Sequence, residues 1–355
     1  MSASPPSEES ARHRGNGRVV AFDALRCLAF CGIVGVHVCY SFPDAALRHA
    51  GQQLGATFNA VFLVLSALLF GARKGTAARS PARFLFRRML RLAVPLWIFL
   101  ATFFAIVGIW TPIRLPPAKV AAEFAFLGWP VKLPGVGHLW FVTLISLCYL
   151  LIAILDRLPR LIDSVWKEAF AGTAAIALSL LLDRRGIPAA QAPLYLFAFG
   201  FVWNHASEIL PTFRRACSGT ASLLFLTAEL LAVQGGCTAA FQSGLWERSQ
   251  TGAYVLGFFS GLSWIGYFVA VLERHPPPRW LSRVLFLASS VSFEVYLVHN
   301  PLARGPFFLH ELVPLENPLV RYLAVLAASI ALAIPLHLGS EIVLAFVRRR
   351  TNRSP

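Results

Sequence analysis

The chain has 355 residues, 57% of them apolar or aromatic and only 14% charged, against about 25% charged in ordinary soluble domains. With a mean hydropathy of +0.63 it has too little polar surface to cover a soluble fold, which excludes a cytosolic enzyme, a nucleic-acid-binding domain and a disordered chain. The net charge of +15 must then be read against a membrane, and the expected fold is an all-α, polytopic integral membrane protein.

A spanning helix needs roughly 20 apolar residues, and about ten apolar runs follow one another. Residues 1–18 are rich in Ser, Pro and Arg and read as a disordered tail. The first run, 19–42, contains Asp23, Arg26 and His37. It exceeds the roughly 7–15 residues of a signal-peptide core, so it reads as a retained span. The others are 54–71, 92–111, 138–155, 168–182, 192–210, 218–235, 251–272, 284–302 and 319–347, punctuated by prolines such as Pro116, Pro159, Pro211 and Pro276–Pro278. A short basic tail, 348–355, follows, so the expected organisation is one ten-helix domain over 19–347 between two tails. No internal repeat stands out. With the N-terminus inside, the inner segments hold 22 of the 32 Lys and Arg, the outer segments nine, and the first span one. By the positive-inside rule both termini are expected in the cytoplasm of a multi-pass protein of the cell (plasma or inner) membrane. None of the six cysteines forms a CxxC pair, and they read as small buried hydrophobes.

Ionisable groups within a span are costly and mark function by default. Asp23 and Arg26 are three apart and can pair along one helix face. Arg26 and His37 are eleven apart, which returns to nearly the same face about 16 Å further along the axis. His is the side chain best suited to proton transfer near neutral pH. The segment Arg73–Arg91 carries seven cations, with Arg87, Arg88 and Arg91 clustered at the cytoplasmic mouth of the third span. They read either as a topology and anionic-lipid signal or as a site for a phosphorylated cytosolic ligand. SFEVYLVHNP places Glu294, Tyr296 and His299 in the ninth span, where they are either a polar helix end or part of a site. GHLWF places His138 and Trp140 at the outer interface, where Trp140 suits an aromatic belt and His138 could face a sugar.

Taken in order, these segments resemble the acyltransferase-3 family of membrane acyltransferases. The first span reads Asp23-Ala24-Leu25-Arg26 and then His37, with the family's ten residues between Arg and His. FLVLSALLF matches the second-span motif at Ser66, with Ala67 where glycine is usual. Arg88 and Arg91 match its R-x-x-R, Trp140 and Phe141 its W-F, and Ser292, Phe293, Tyr296, Leu297 and His299 its S-Y/F-x-x-Y-L-x-H. The resemblance implies transfer of an acyl group, often acetyl, from cytosolic acyl-CoA to a hydroxyl of a cell-surface glycan or its lipid-linked precursor.

The residue chemistry agrees. His37 suits a general base or an acyl carrier, and Arg26 and Asp23 join it in the expected catalytic set. Arg87, Arg88 and Arg91 suit the anionic donor. Ser66, His138, Trp140, Glu294, Tyr296 and His299 are the candidate substrate contacts. Expected partners are acyl-CoA, in the first instance acetyl-CoA, the glycan acceptor and membrane lipid, with no nucleic acid. No HExxH-like or Cys-rich spacing offers a metal site. The rival readings are a sugar or lipid flippase using buried Arg, His and Glu as a relay, and a catalytically silent sensor subunit.

Overall fold

The computed structural model describes residues 19–72, 80–129, 133–187, 190–215, 220–307 and 315–351. The expected tail 1–18, the basic stretch 73–79, Lys132, Cys217 and residues 352–355 lie outside them. The helices are α1 (Val20–Cys39), α2 (Ala45–Gly71), α3 (Pro81–Trp110), α4 (Pro117–Phe124), α5 (Trp140–Leu155), α6 (Val165–Arg184), α7 (Ala192–Asn204) and α8 (Ala206–Arg215). They continue with α9 (Thr220–Gln242), α10 (Leu245–Arg248), α11 (Gln250–Arg274), α12 (Arg279–Ser290), α13 (Ser292–Arg304) and α14 (Pro318–Thr351). Short 3₁₀ turns cover Gly137–Leu139 and Pro159–Ile162. Among the described residues there is no strand.

The starts follow local chemistry. Asp44 caps α2 by accepting the Leu47 amide at 2.8 Å, and Ser249 caps α11 by accepting the Gly252 amide at 3.0 Å. Pro81 opens α3, where a missing N–H costs nothing.

Among the described residues, eight helices are long and apolar enough to cross a membrane, nine if the bent α12–α13 pair is one span. Two expected spans differ from the sequence reading. The ninth, read as a continuous run over 284–302, is broken: α12 and α13 meet at an angle of 61° across Val291. α12 is held in its bent position by the Ser289 hydroxyl, which donates to Asp23 at 2.8 Å. The sixth, read over 192–210, stops at Asn204 after 13 residues, roughly 20 Å of helix against a hydrocarbon core of about 30 Å. His205 then turns the chain into α8, its ring on the carboxylate of Glu168 at 2.9 Å.

α2 lies at the centre, with 72% of its most apolar stretch buried, whereas α9, α6 and α14, at 11%, 17% and 22%, form the rim. Small residues set the closest crossing. Gly257 and Gly261 of α11 lie on Ala56 and Ala60 of α2, and a Cβ on Gly257 would come within 2.5 Å of the Ala56 methyl. Hydroxyls and amides stitch the same layer: Thr57 bonds Ser260 at 2.9 Å, Gln234 donates to Ser260, and Thr238 donates to Gln53. Such contacts replace the hydrophobic drive that lipid cannot supply.

Candidate active site

Three imidazoles meet at one end of the bundle. His37 sits in the last turn of α1, which the Tyr40 amide closes on the Val36 carbonyl at 3.0 Å. His138 comes from a reversal. Gly135 adopts φ +80°, a backbone state that costs glycine little, and the 3₁₀ turn after it carries the histidine. A Cβ on Gly305 would lie 2.9 Å from Gly135 Cα, so two chain segments touch there. α13 brings His299 and fastens the reversal: Asn300 donates to the Gly135 carbonyl at 2.9 Å, and the Tyr296 hydroxyl donates to the His138 carbonyl.

Ring centroids are 4.9 Å apart for His37 and His299, 5.0 Å for His138 and His299, and 6.1 Å for His37 and His138. His138 and His299 are buried and His37 half-buried. His138 Nε2 lies 3.2 Å from the Leu297 carbonyl and His299 Nδ1 2.7 Å from the Tyr296 carbonyl. A carbonyl only accepts, so those nitrogens carry the protons and the neutral rings keep lone pairs on His138 Nδ1 and His299 Nε2. These two nitrogens and His37 Nδ1 are buried without a hydrogen-bond partner among the described residues. Each such group costs about 1–3 kcal/mol unless a ligand meets it. Among the described residues no group of three or more His, Cys, Asp or Glu is arranged to hold a metal ion.

At the other end, Asp23 and Arg26 pair at 3.9 Å. The Arg88 guanidinium lies 4.5 Å from the Phe70 ring centroid, and Phe70 meets Tyr149 edge-on at 5.3 Å. The charges of Arg88, Arg26 and Arg91 all act on the Tyr149 hydroxyl. Two helices thus contribute to one cationic end, in which Arg88 is half-buried while Arg87 and Arg91 are exposed. Ser66 lies between the two ends: Phe62, Ser66 and Phe70 are four apart and share a face of α2. Phe62 meets Phe141 at 6.2 Å, and Phe141 meets Tyr296 at 5.9 Å.

Trp140 stands beside the histidines, 5.4 Å from Trp129 and 6.4 Å from Tyr195 by ring centroids. Glu294 is the candidate that the structure leaves out of this group. It turns to α14 and bonds the His337 ring at 2.9 Å, because five residues along a helix place it on a different face from His299.

Glu123 escaped the sequence reading, which sought ionisable groups only within spans. It lies on α4, 1% exposed, and neither carboxyl oxygen has a partner among the described residues. Burial pushes its carboxyl up to about 8. The available signal was one acid in an otherwise apolar stretch, VAAEFAFLGW, just upstream of His138.

The profile of the acyltransferase-3 family, described as "Acyltransferase domain", matches residues 19–338. No curated protein and no solved structure matches the chain.

Proposed function

Because the chain belongs to the acyltransferase-3 family, matched from residue 19 to 338, it is a membrane acyltransferase, and we propose that it moves an acyl group from cytosolic acyl-CoA to a hydroxyl of a cell-surface glycan or its lipid-linked precursor. Acetyl-CoA is the simplest donor. The observation that carries this reading is the separation of two chemistries: imidazole nitrogens without a partner among the described residues at one end of the bundle and neighbouring guanidinium groups at the other.

A coenzyme A thioester is anionic at its nucleotide end, which suits Arg88 and Arg91. Arg26 stands at the same end, where it can neutralise the same phosphates. His37 takes the proton of the acceptor hydroxyl as its oxygen bonds the acyl carbon. The carbon–sulfur bond breaks, and coenzyme A leaves as the thiol once the proton has been passed to it. His138 and His299 hold the base in a closed, apolar-walled site. Ser66 and Tyr296 line the way between the two ends. Arg26 lies inward of His37, which agrees with cytoplasmic termini and a donor that enters from the cytoplasm.

The test uses the full chain in lipid nanodiscs. Acetyl-CoA and deacylated surface glycan should yield coenzyme A thiol and an ester on the glycan, weighed by mass spectrometry. Replacing both Arg88 and Arg91 by Gln should weaken acetyl-CoA binding at least ten-fold, whereas Arg349→Gln in the exposed end of α14 should change it little. No thiol release with acetyl, propionyl or succinyl donors, together with unaltered glycan on cells lacking the protein, would overturn the reading.

A further inference from the structure

The chain between α3 and the His138 turn is folded inward rather than left as a surface loop. The Trp97 indole donates to the Phe124 carbonyl at 2.9 Å. The Leu127 amide returns to the Ala122 carbonyl at 2.9 Å. Phe126 takes φ 62°, a left-handed state rare for a bulky residue, and the Thr143 hydroxyl secures its carbonyl at 2.6 Å. This tight turn presses Gly128 onto Glu123. A Cβ at Gly128 would lie 2.6 Å from Glu123 Oε2 and 3.2 Å from the Leu139 carbonyl carbon. The carboxyl is therefore wedged between the backbones that precede Trp129 and Trp140. Glu123 lies within electrostatic reach of the Tyr296 hydroxyl, which is bonded to the backbone of His138.

Two features of this arrangement point to a ligand. First, a carboxyl that is 1% exposed has no partner for either oxygen among the described residues, although buried polar groups are nearly always paired. Second, the chain segments that enclose it lead directly into Trp129 and Trp140, whose ring centroids lie 5.4 Å apart, and His138 is two residues before Trp140. Paired acceptor oxygens match neighbouring hydroxyl donors, and indole faces match the apolar C–H face of a saturated ring.

We propose that Glu123 is the acceptor-holding residue: its carboxyl oxygens receive hydrogen bonds from adjacent hydroxyls of a sugar ring seated against Trp129 and Trp140, which turns a further hydroxyl toward the histidine cluster. This rests on the acyl-transfer reading in that the bound ring is the acceptor. The ring's hydroxyl donors favour the ionised carboxyl and supply the hydrogen bonds that it lacks among the described residues.

Binding can be read without chemistry. The full chain in nanodiscs free of sugar detergents is mixed with the methyl glycosides of glucose, galactose and mannose, and saturation-transfer NMR records which protons contact the protein. At least one glycoside should give a signal that drops five-fold or more in Glu123→Gln. The signal should fall less in Glu123→Asp, which keeps the carboxyl but withdraws it by one methylene. Thermal melting of each variant establishes that it is folded. Equal signals in wild type and Glu123→Gln would overturn the proposal, as would no signal from any of the three glycosides. A loss of signal matched by loss of the thermal transition in both variants would make Glu123 a structural residue and overturn it as well. If glycosides bind through Glu123 but acetyl-CoA never yields thiol, the acyl-transfer reading fails and the sugar site stands.

Discussion

His37 holds a buried Nδ1 that no group among the described residues meets, 4.9 Å from the His299 ring by centroids. As the base it is needed in the chemical step, while donor capture belongs to the distant arginines. His37→Ala should therefore lower acyl transfer by about 10²–10⁴, the usual worth of a general base, and leave acetyl-CoA affinity within a few-fold by calorimetry. His37→Gln keeps hydrogen bonding but takes up no proton, and it should fail equally. A fully active Gln variant would move the role to His299. Glu123 makes a second prediction at this scale. Its carboxyl ionises near 4.5 in the unfolded chain and near 8 in the fold. Between those values the folded state binds more protons, so stability is fully present below about 4.5 and is lost as pH rises toward 8. Tyr296 is a titratable neighbour within its reach, and α3 packs on the same helix through the Trp97 indole on the Phe124 carbonyl. Thermal melts should show Glu123→Gln gaining several degrees on wild type between pH 5 and pH 8, because Gln does not ionise.

At the scale of elements, the α2–α11 crossing decides where the site's walls stand. Gly257 admits the Ala56 backbone so closely that any side chain must push the helices apart. Gly257→Leu should destabilise the protein by about 1–3 kcal/mol, the usual cost of overpacking, and lower activity with it. Gly108→Leu on α3 is the control, since nothing lies within 4 Å of a Cβ there; its melting temperature should stay close to wild type. The α12–α13 break has an equally local cause. Asp23 receives the Ser289 hydroxyl, which ties α12 to the inner end of α1, and α13 restarts inside the bundle with His299 on the face toward His37. An unbroken helix would carry that face elsewhere. The break was hidden in the sequence because both sides of Val291 are apolar enough to read as one run.

For the whole molecule, the two chemistries sit at opposite ends of α1, so the direction of the chain across the membrane sets the direction of transfer. Basic residues favour the inner segments by 22 to nine, which predicts cytoplasmic termini. A phosphatase reporter that works only outside the cytoplasm should be silent when fused after Pro355, and one that works only inside should be active. The opposite pattern would reverse the proposed direction and remove acyl-CoA as a cytosolic donor.

Much of this was legible in one dimension. Hydropathy and the cost of intramembrane charge are local properties, so the helical membrane class, most helix positions and the candidates Arg26, His37, Arg88 and His299 follow from the order of residues. The eleven-residue spacing placed Arg26 and His37 on one face because helical period holds within a single helix. What lies opposite that face depends on packing between helices and on how loops fold back, and neither leaves a periodic trace. Only the tertiary structure decided that the reversal at Gly135 delivers His138 to His37 and His299. It alone turned Glu294 away to His337 and tucked Glu123 beneath a left-handed turn beside two indoles, since a side chain's partners are fixed by close contact between segments far apart in the chain.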